Sequence, residues 1–469
     1  MAIKRYTANA DNTITNAFEA NLQTRGTGSN MGESDIIETF TIYGQTTLNG
    51  TSSNEQANIL INFPISEIAS DRTSKKIPES GDVDFYLRVH NAPHGQTLPR
   101  DYELAVQPVS RSWDEGYGLD METYTDSGVS NWISSSQGQA WDTEGGDYHS
   151  SPSYSQYISE GTEDIEINIT PLVEGWLDST IDPNGIGISI SSSYASLPRS
   201  FYVKKFFARG SNHFYHRPKI EARWDSATKD RRNSFYASSS LVPGEENLNT
   251  LYIYNRVRGQ LRDIPVDAAN LTMSLYYGES TGPVGAVLES APVTKVADGV
   301  YSSTVSIDTT SSYLYDVWHS DSTEYVTGSQ ISVRTFAANS AADTGEYVSN
   351  IVNLKESYAT TETPRLRMFV RDKDWNPTIY TVATTNIETK IIENAYYKVF
   401  RNTDDFEVIP YGTGSLNDGY TQMSYDKDGN YFDIDMSLFE PGYSYGIKVS
   451  YQVNDRYEEQ PELFKFRVK

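Results

Sequence analysis

The sequence predicts an all-β protein assembled from sandwich domains, and three observations predict it. Strand-like runs recur along all 469 residues, separated by Gly, Asn, Asp, Ser and Pro, while helix-period segments are nearly absent. The 34 Tyr, 17 Phe and 7 Trp, with β-branched residues along the whole length, suit pleated half-buried surfaces and outweigh a low mean hydropathy of -0.54. At roughly 150 residues per domain the length fits about three of them.

In chain order, Phe85-Tyr86-Leu87-Arg88-Val89-His90 alternates like a strand, and so do Ile165, Ile167 and Ile169. Thr170–Asp178 follows as a short helix: Thr170 serves as cap, Pro171 suits the first helical position, and Leu172, Val173, Trp176 and Leu177 form one apolar face. Asn184-Gly185 then turns the chain into a second strand, Ile186, Ile188 and Ile190. This strand, helix, strand unit predicts a helix plugging one end of a sandwich. The region closes with Ile220, Ala222 and Trp224 on one face of a strand. Residues 226–248 run through charged and Ser-rich stretches to Pro243-Gly244 and read as a linker, or an arm docked on a neighbour.

Beyond 248 the chain repeats. Asp298-Gly299-Val300-Tyr301 recurs as Asp428-Gly429-Asn430-Tyr431, and Tyr313, Tyr315 and Val317 recur as Tyr443, Tyr445 and Ile447, all at an offset of 130 (431 minus 301, 443 minus 313). Each Asp-Gly lies between alternating runs and predicts a hairpin, because both residues tolerate positive φ. Two tandem immunoglobulin-like sandwiches follow from the spacing, at 249–362 and 363–469, with the boundary at Thr363-Pro364.

Charge and composition exclude several functions. With 38 Lys and Arg against 63 Asp and Glu the net charge is -25, which repels phosphate backbones and anionic lipid; the expectation is no nucleic acid and no membrane partner. The absence of cysteine excludes disulfides, thiolate metal sites and cysteine nucleophiles. The opening residues lack the apolar segment of a secretory signal, so export by that route is not expected.

The candidates for chemistry are few. His90 and His94 have helical i, i+4 spacing but sit on a strand that runs into Pro93, and His213 and His216 lie in strand or loop. Asp372, Asp374 and Asn376, and Asp426, Asp428 and Asn430, resemble calcium loops but lack the Gly and Glu such loops need: the sixth and twelfth positions are Pro377 and Ala383, then Tyr431 and Ser437. Asp142, Glu144 and Asp147 offer carboxylates that fit solvated loop acids better than a hydrolytic pair. Trp132 and Trp141, with Trp113, are candidates either for stacking a glycan or for filling the core. No phosphate-binding loop, nucleophile elbow or dinucleotide fingerprint is present, so no cofactor and no catalytic residue is expected.

Taken in order, Asn58–Phe63, Val109–Gly116, Asn131-Trp132, Gly145–Tyr148, Ile165–Trp176 and Asn184–Ile188 resemble the DNRLRE-type β-sandwich over about residues 1 to 225. That resemblance implies a jelly-roll-like domain. Residues 1 to about 35, like 226–248, have a composition that would struggle to form a core alone, so the expectation is an N-terminal arm that docks on neighbours. More narrowly, the opening Met1–Phe18, Arg25–Gly32, Lys204–Arg209 and Ser239–Pro243 resemble virion structural proteins of contractile-tailed marine cyanobacterial phages. The implied role is a non-enzymatic connector, collar, fibre or decoration protein in the virion, assembled in the host cytoplasm, partnered by other virion proteins and further copies of itself. The alternative is a carbohydrate-binding adhesin that meets a host-surface glycan through Trp132 and Trp141.

Overall fold

The computed structural model describes residues 2–46, 52–95, 97–125, 129–197, 200–279, 281–337, 345–374, 389–413, 419–454 and 456–469. It is all-β; among the described residues there are two short α-helices of eight and nine residues and one of four. The chain divides into two compact units between Asp225 and Ser226.

The first unit holds two main antiparallel sheets. One orders Ile3–Thr7, Lys219–Arg223, Asp84–Val89 and Ile165–Asn168; the other orders Tyr154–Ile158, Tyr102–Pro108, Ile186–Ile190, Ser52–Asn62, Ile36–Thr46 and Phe201–Phe207, with Ala10–Thr15 also on Ser52–Asn62. Register places Ile186 opposite Ile61, and Ile188 opposite both Ile59 and Val106, so these residues share one fully buried face. The first fifteen residues are not an arm. Ile3–Thr7 pairs with Lys219–Arg223 and Ala10–Thr15 with Ser52–Asn62, burying Ile3, Tyr6 and Ile14. Sequence pattern hides the second of these strands because Asp11, Asn12, Thr13 and Thr15 are polar and still fully buried. Asn12 is satisfied by distant segments: its Nδ2 donates to Ser130 O at 3.0 Å and its Oδ1 accepts from the Met31 amide at 2.9 Å.

The expected helix forms at Thr170–Leu177, with Leu172, Val173 and Trp176 buried and Leu177 half-buried. Thr170 does not cap it; its hydroxyl accepts the Phe85 amide at 2.8 Å and donates to Asp84, tying the helix to the neighbouring strand. A second helix, Ile65–Thr73, goes unforeseen, since it buries only Ile65, Ile68 and Asp71.

The second unit contains two sandwiches of matching topology. In the first, a sheet of Asn249–Tyr254, Val300–Val305 and Thr294–Ala297 accompanies one of Phe235–Tyr236, Ile331–Arg334, Tyr313–Ser320, Thr272–Glu279 and Gly282–Pro292. In the second, Tyr347–Ile351, Arg365–Asp372, Gly429–Asp433 and Ser424–Asp426 accompany Ser357–Tyr358, Phe464–Val468, Ser444–Val453, Ala395–Arg401 and Glu407–Ile409. Each has a short parallel edge strand, Phe235 opposite Val333 and Ser357 opposite Arg467. The second sandwich therefore starts by Tyr347, ahead of Thr363-Pro364, which is a corner between two of its own strands. The 226–248 segment likewise contributes a strand and is not a free linker.

The repeat is real in topology but its offset is odd. In the first copy Leu314, Asp316 and Trp318 are buried; in the second Tyr445, Ile447, Val449 and Tyr451 are. An even offset of 130 would superpose inward residues on outward ones, because strand side chains alternate. The hairpins give the parity directly: Ala297 pairs with Val300, and Asp426 with Gly429, an offset of 129 (426 minus 297).

Candidate functional site

Trp132 and Trp141 are 4% and 6% exposed, packed with Ile14, Leu60 and Val109 and flanked by Trp113 and Tyr148. They form no exposed stacking platform. Trp141 Nε1 donates to Asn131 O at 2.8 Å and Trp113 Nε1 to Asn184 O at 2.9 Å, so both indole dipoles are spent on backbone. Gly145 adopts φ +93°, and a Cβ there would stand 2.8 Å from the Trp132 ring. The tryptophan loop is a lid of aromatic mass on the outer face of the larger sheet, opposite the isoleucine core.

The acids beside it are structural. Asp147 accepts the Asp142 and Thr143 amides, both at 2.9 Å, and Arg111 reaches Asp142 at 2.7 Å and Asp147 at 3.1 Å. The calcium-like cluster at 426–430 separates: Arg367 takes both oxygens of Asp426 at 2.9 and 2.7 Å, while buried Asn430 bonds both the amide and the carbonyl of Ile392. Asp372 pairs with Lys390 at 2.7 Å, and Asn376 lies outside the described residues. Among the described residues no group of three or more acidic or His side chains could hold a metal ion, and no helix is long and apolar enough to cross a membrane.

Histidines that the sequence treats as two separate pairs meet in the first unit. His90 and His216 have ring centroids 5.2 Å apart, His213 and His216 5.6 Å, and Phe207 stacks on His216 at 4.9 Å. His90 Nδ1 bonds Asp164 at 2.9 Å and its Nε2 lies 3.3 Å from the Lys219 ammonium, which also bonds Tyr215 O. Burial first, then the neighbouring His90, His213 and Lys219, holds His216 down at about 4. His94 is not in this group.

The most elaborate arrangement is the strap at 228–236, which joins both sandwiches of the second unit. On the second sandwich, the Tyr425 amide donates to Thr228 O at 2.9 Å, the Asp230 amide to Tyr425 O at 3.0 Å, and Arg231 pairs with Glu393. One residue on, Arg232 turns into the first sandwich. It is 7% exposed and makes a two-pronged ion pair with Asp316, which is fully buried and also accepts Trp318 Nε1 at 2.7 Å. Phe235 then enters that core at 0% exposure. Burial pushes the Asp230 carboxyl up to about 6 against the pull of Arg232. Sequence reading missed the strap because its polar, charged text resembles a solvated linker; Arg231-Arg232 followed by Phe235-Tyr236 is the local signal.

The sequence matches no family model and no curated protein. Among solved structures the chain is similar to the Yersinia pseudotuberculosis adhesin InvE (13% identity, 47% of this chain, 54% of that one, TM-score 0.15). It is also similar to the Escherichia coli adhesin FdeC (12%, 62% and 79%, TM-score 0.16) and to a marsupial T cell receptor (11%, 47% and 68%, TM-score 0.16). At these scores the architecture rests on the strand pairing described above.

Proposed function

We propose that the protein is a non-enzymatic structural component of a tailed-bacteriophage virion, a connector, collar, fibre or decoration subunit that acts through protein–protein interfaces. The observation that carries this reading is the strap. Flexible linkers leave tandem domains free to reorient, whereas backbone pairing on one sandwich and a buried ion pair in the other hold the two in one arrangement. A subunit that must hold neighbours at fixed spacing needs that stiffness. The acidic surface keeps the chain soluble before assembly, and its partners are other virion proteins and further copies of itself. The sequence resemblance to virion proteins supplies the particle.

Quantitative mass spectrometry of gradient-purified particles tests this. The chain should band with the capsid and tail proteins at a fixed copy number and stay there through a high-salt wash. Recovery only in the soluble lysate fraction would refute the assignment.

A further inference from the structure

Beside the tryptophan loop, on the outer face of the larger sheet of the first unit, lies an open pocket of about 430 Å³, within the size range of small-molecule sites. Register sets its floor. Gly187 pairs with both Leu60 and Gln107, and Ser189 with Ala105, so Asn58, Gln56, Gln107 and Ser189 stand on the face opposite the buried isoleucines. Ser153 and the short helix Ser192–Ala195 contribute further walls.

The lining is chemically selective. Twelve residues drawn from a chain that is 22% charged would carry between two and three charged side chains (12 × 0.22); this pocket has none. It presents amides and hydroxyls. Asn58 Nδ2 donates to Gly145 O at 2.9 Å and Gln107 Nε2 to His149 O at 3.2 Å, which clamps both amides and leaves their carbonyl oxygens as oriented acceptors. The side chains of Gln56, Ser153, Ser189 and Ser192 make no hydrogen bond to any described residue. Ala105, opposite Ser189 on the same face, and Ala195 add small apolar surfaces. Fixed acceptors, free hydroxyls and a little carbon surface without charge match a ligand rich in hydroxyl groups and neutral overall.

We propose that this pocket binds a neutral saccharide. The assignment moves sugar contact away from Trp132 and Trp141, whose rings are buried, and it stands whether or not the chain belongs to a virion. Saturation-transfer NMR on the purified full-length protein tests it with glucose, galactose, mannose and N-acetylglucosamine as probes at millimolar concentration. At least one should bind. Gln107→Ala should weaken it about tenfold, the loss of one oriented hydrogen bond. Ser189→Phe, which fills the pocket, should abolish it, with an unchanged thermal melt showing that each variant folds. Trp141→Phe should bind as the parent does. Tighter binding of an oligosaccharide of the same sugar would identify a polymeric glycan as the source, and equal affinity a free sugar. No saturation transfer from any of the four, undiminished binding in Ser189→Phe and Gln107→Ala, or loss in Trp141→Phe would each overturn the proposal. None of these readouts involves particle incorporation, so failure here and failure of the virion assignment are separate results.

Discussion

Replacing Arg232 by Met isolates the strap's central interaction. Asp316 is fully buried, and its carboxylate is neutralised by Arg232 through two charge-assisted hydrogen bonds, one at 2.8 Å, with Trp318 Nε1 as the third donor. Met keeps most of the arginine's apolar volume and removes the cation, leaving the Asp316 carboxylate in the core with one neutral donor, Asp230 without its neighbouring cation, and the Ser329 and Tyr252 carbonyls without this donor. Breaking a buried pair in this way costs about 3–5 kcal/mol. In a unit of this size that lowers the urea midpoint by roughly 1–2 M. Adding Asp316→Asn removes the stranded charge while retaining an acceptor for Trp318, and should restore about 2 kcal/mol. The assay is urea-dependent hydrogen exchange by mass spectrometry on the full chain, following peptides from Tyr313–Ser320 and Ala395–Arg401. Both strands should lose protection at one midpoint in the parent protein. A change below about 1 kcal/mol in Arg232→Met, or no recovery in the double variant, would show that Asp316 is not held by this cation and refute the reasoning.

Other outcomes follow from the first unit. His216 is kept neutral by the fold, so its stabilising effect is present above its unfolded value near 6.5 and is lost as the pH falls toward about 4. Between pH 7 and 5, after discounting for its half-exposed position, the loss is about 1 kcal/mol. Thermal melts of His216→Phe, which preserves the stack on Phe207, should fall by that much less than the parent over the same interval. Asp11, pushed up to about 7 mainly by burial, works with the opposite sign but is common to both proteins and cancels in the difference. Trp141→Ala should cost about 3–5 kcal/mol in denaturant titrations, as a core truncation. Gly145→Ala, strained at positive φ and crowding the Trp132 ring, should cost about 2 kcal/mol by the same measurement. Deleting residues 2–15 should unfold the first unit, seen as loss of its protected amides, because both sheets lose a strand.

What was legible in the sequence follows from where side chains bury. Ile165–Leu177 and Ile186–Ile190 were readable because apolar spacing, Pro171 and Asn184-Gly185 all agree with the local structure. Residues 10–15 were not, since a strand whose inward groups are Asp, Asn and Thr is indistinguishable from a loop until their partners, Ser130 and Met31 far along the chain, are known. The same holds for the tryptophans. Their spacing is compatible with a platform or a core, and only the long-range contact of Trp132 and Trp141 with Ile14 and Leu60 decides between the two. The histidine cluster joins residues 126 positions apart (216 minus 90), beyond the reach of any local pattern. The pocket lining is drawn from strands, a loop and a short helix scattered between residues 40 and 195, with no motif in common.

The two copies differ in what this strand buries, and the strap answers the difference. On the strand Ser444–Val453 the second sandwich turns Tyr445, Ile447, Val449 and Tyr451 inward, none charged at neutral pH. The corresponding strand of the first sandwich turns Asp316 inward between Leu314 and Trp318. A carboxylate at that depth is tolerable only with a resident cation, and among the described residues none on the sandwich's own strands supplies it; Arg232 arrives from the strap. The first sandwich has thus surrendered a self-sufficient core for one completed by a segment that is simultaneously paired to Tyr425 of the second. Its stability is conditional on the strap's docking Arg232 and Phe235 into it. Reorienting the second sandwich has to break the backbone pairing of Thr228 and Asp230 with Tyr425, while Arg232 stays on Asp316.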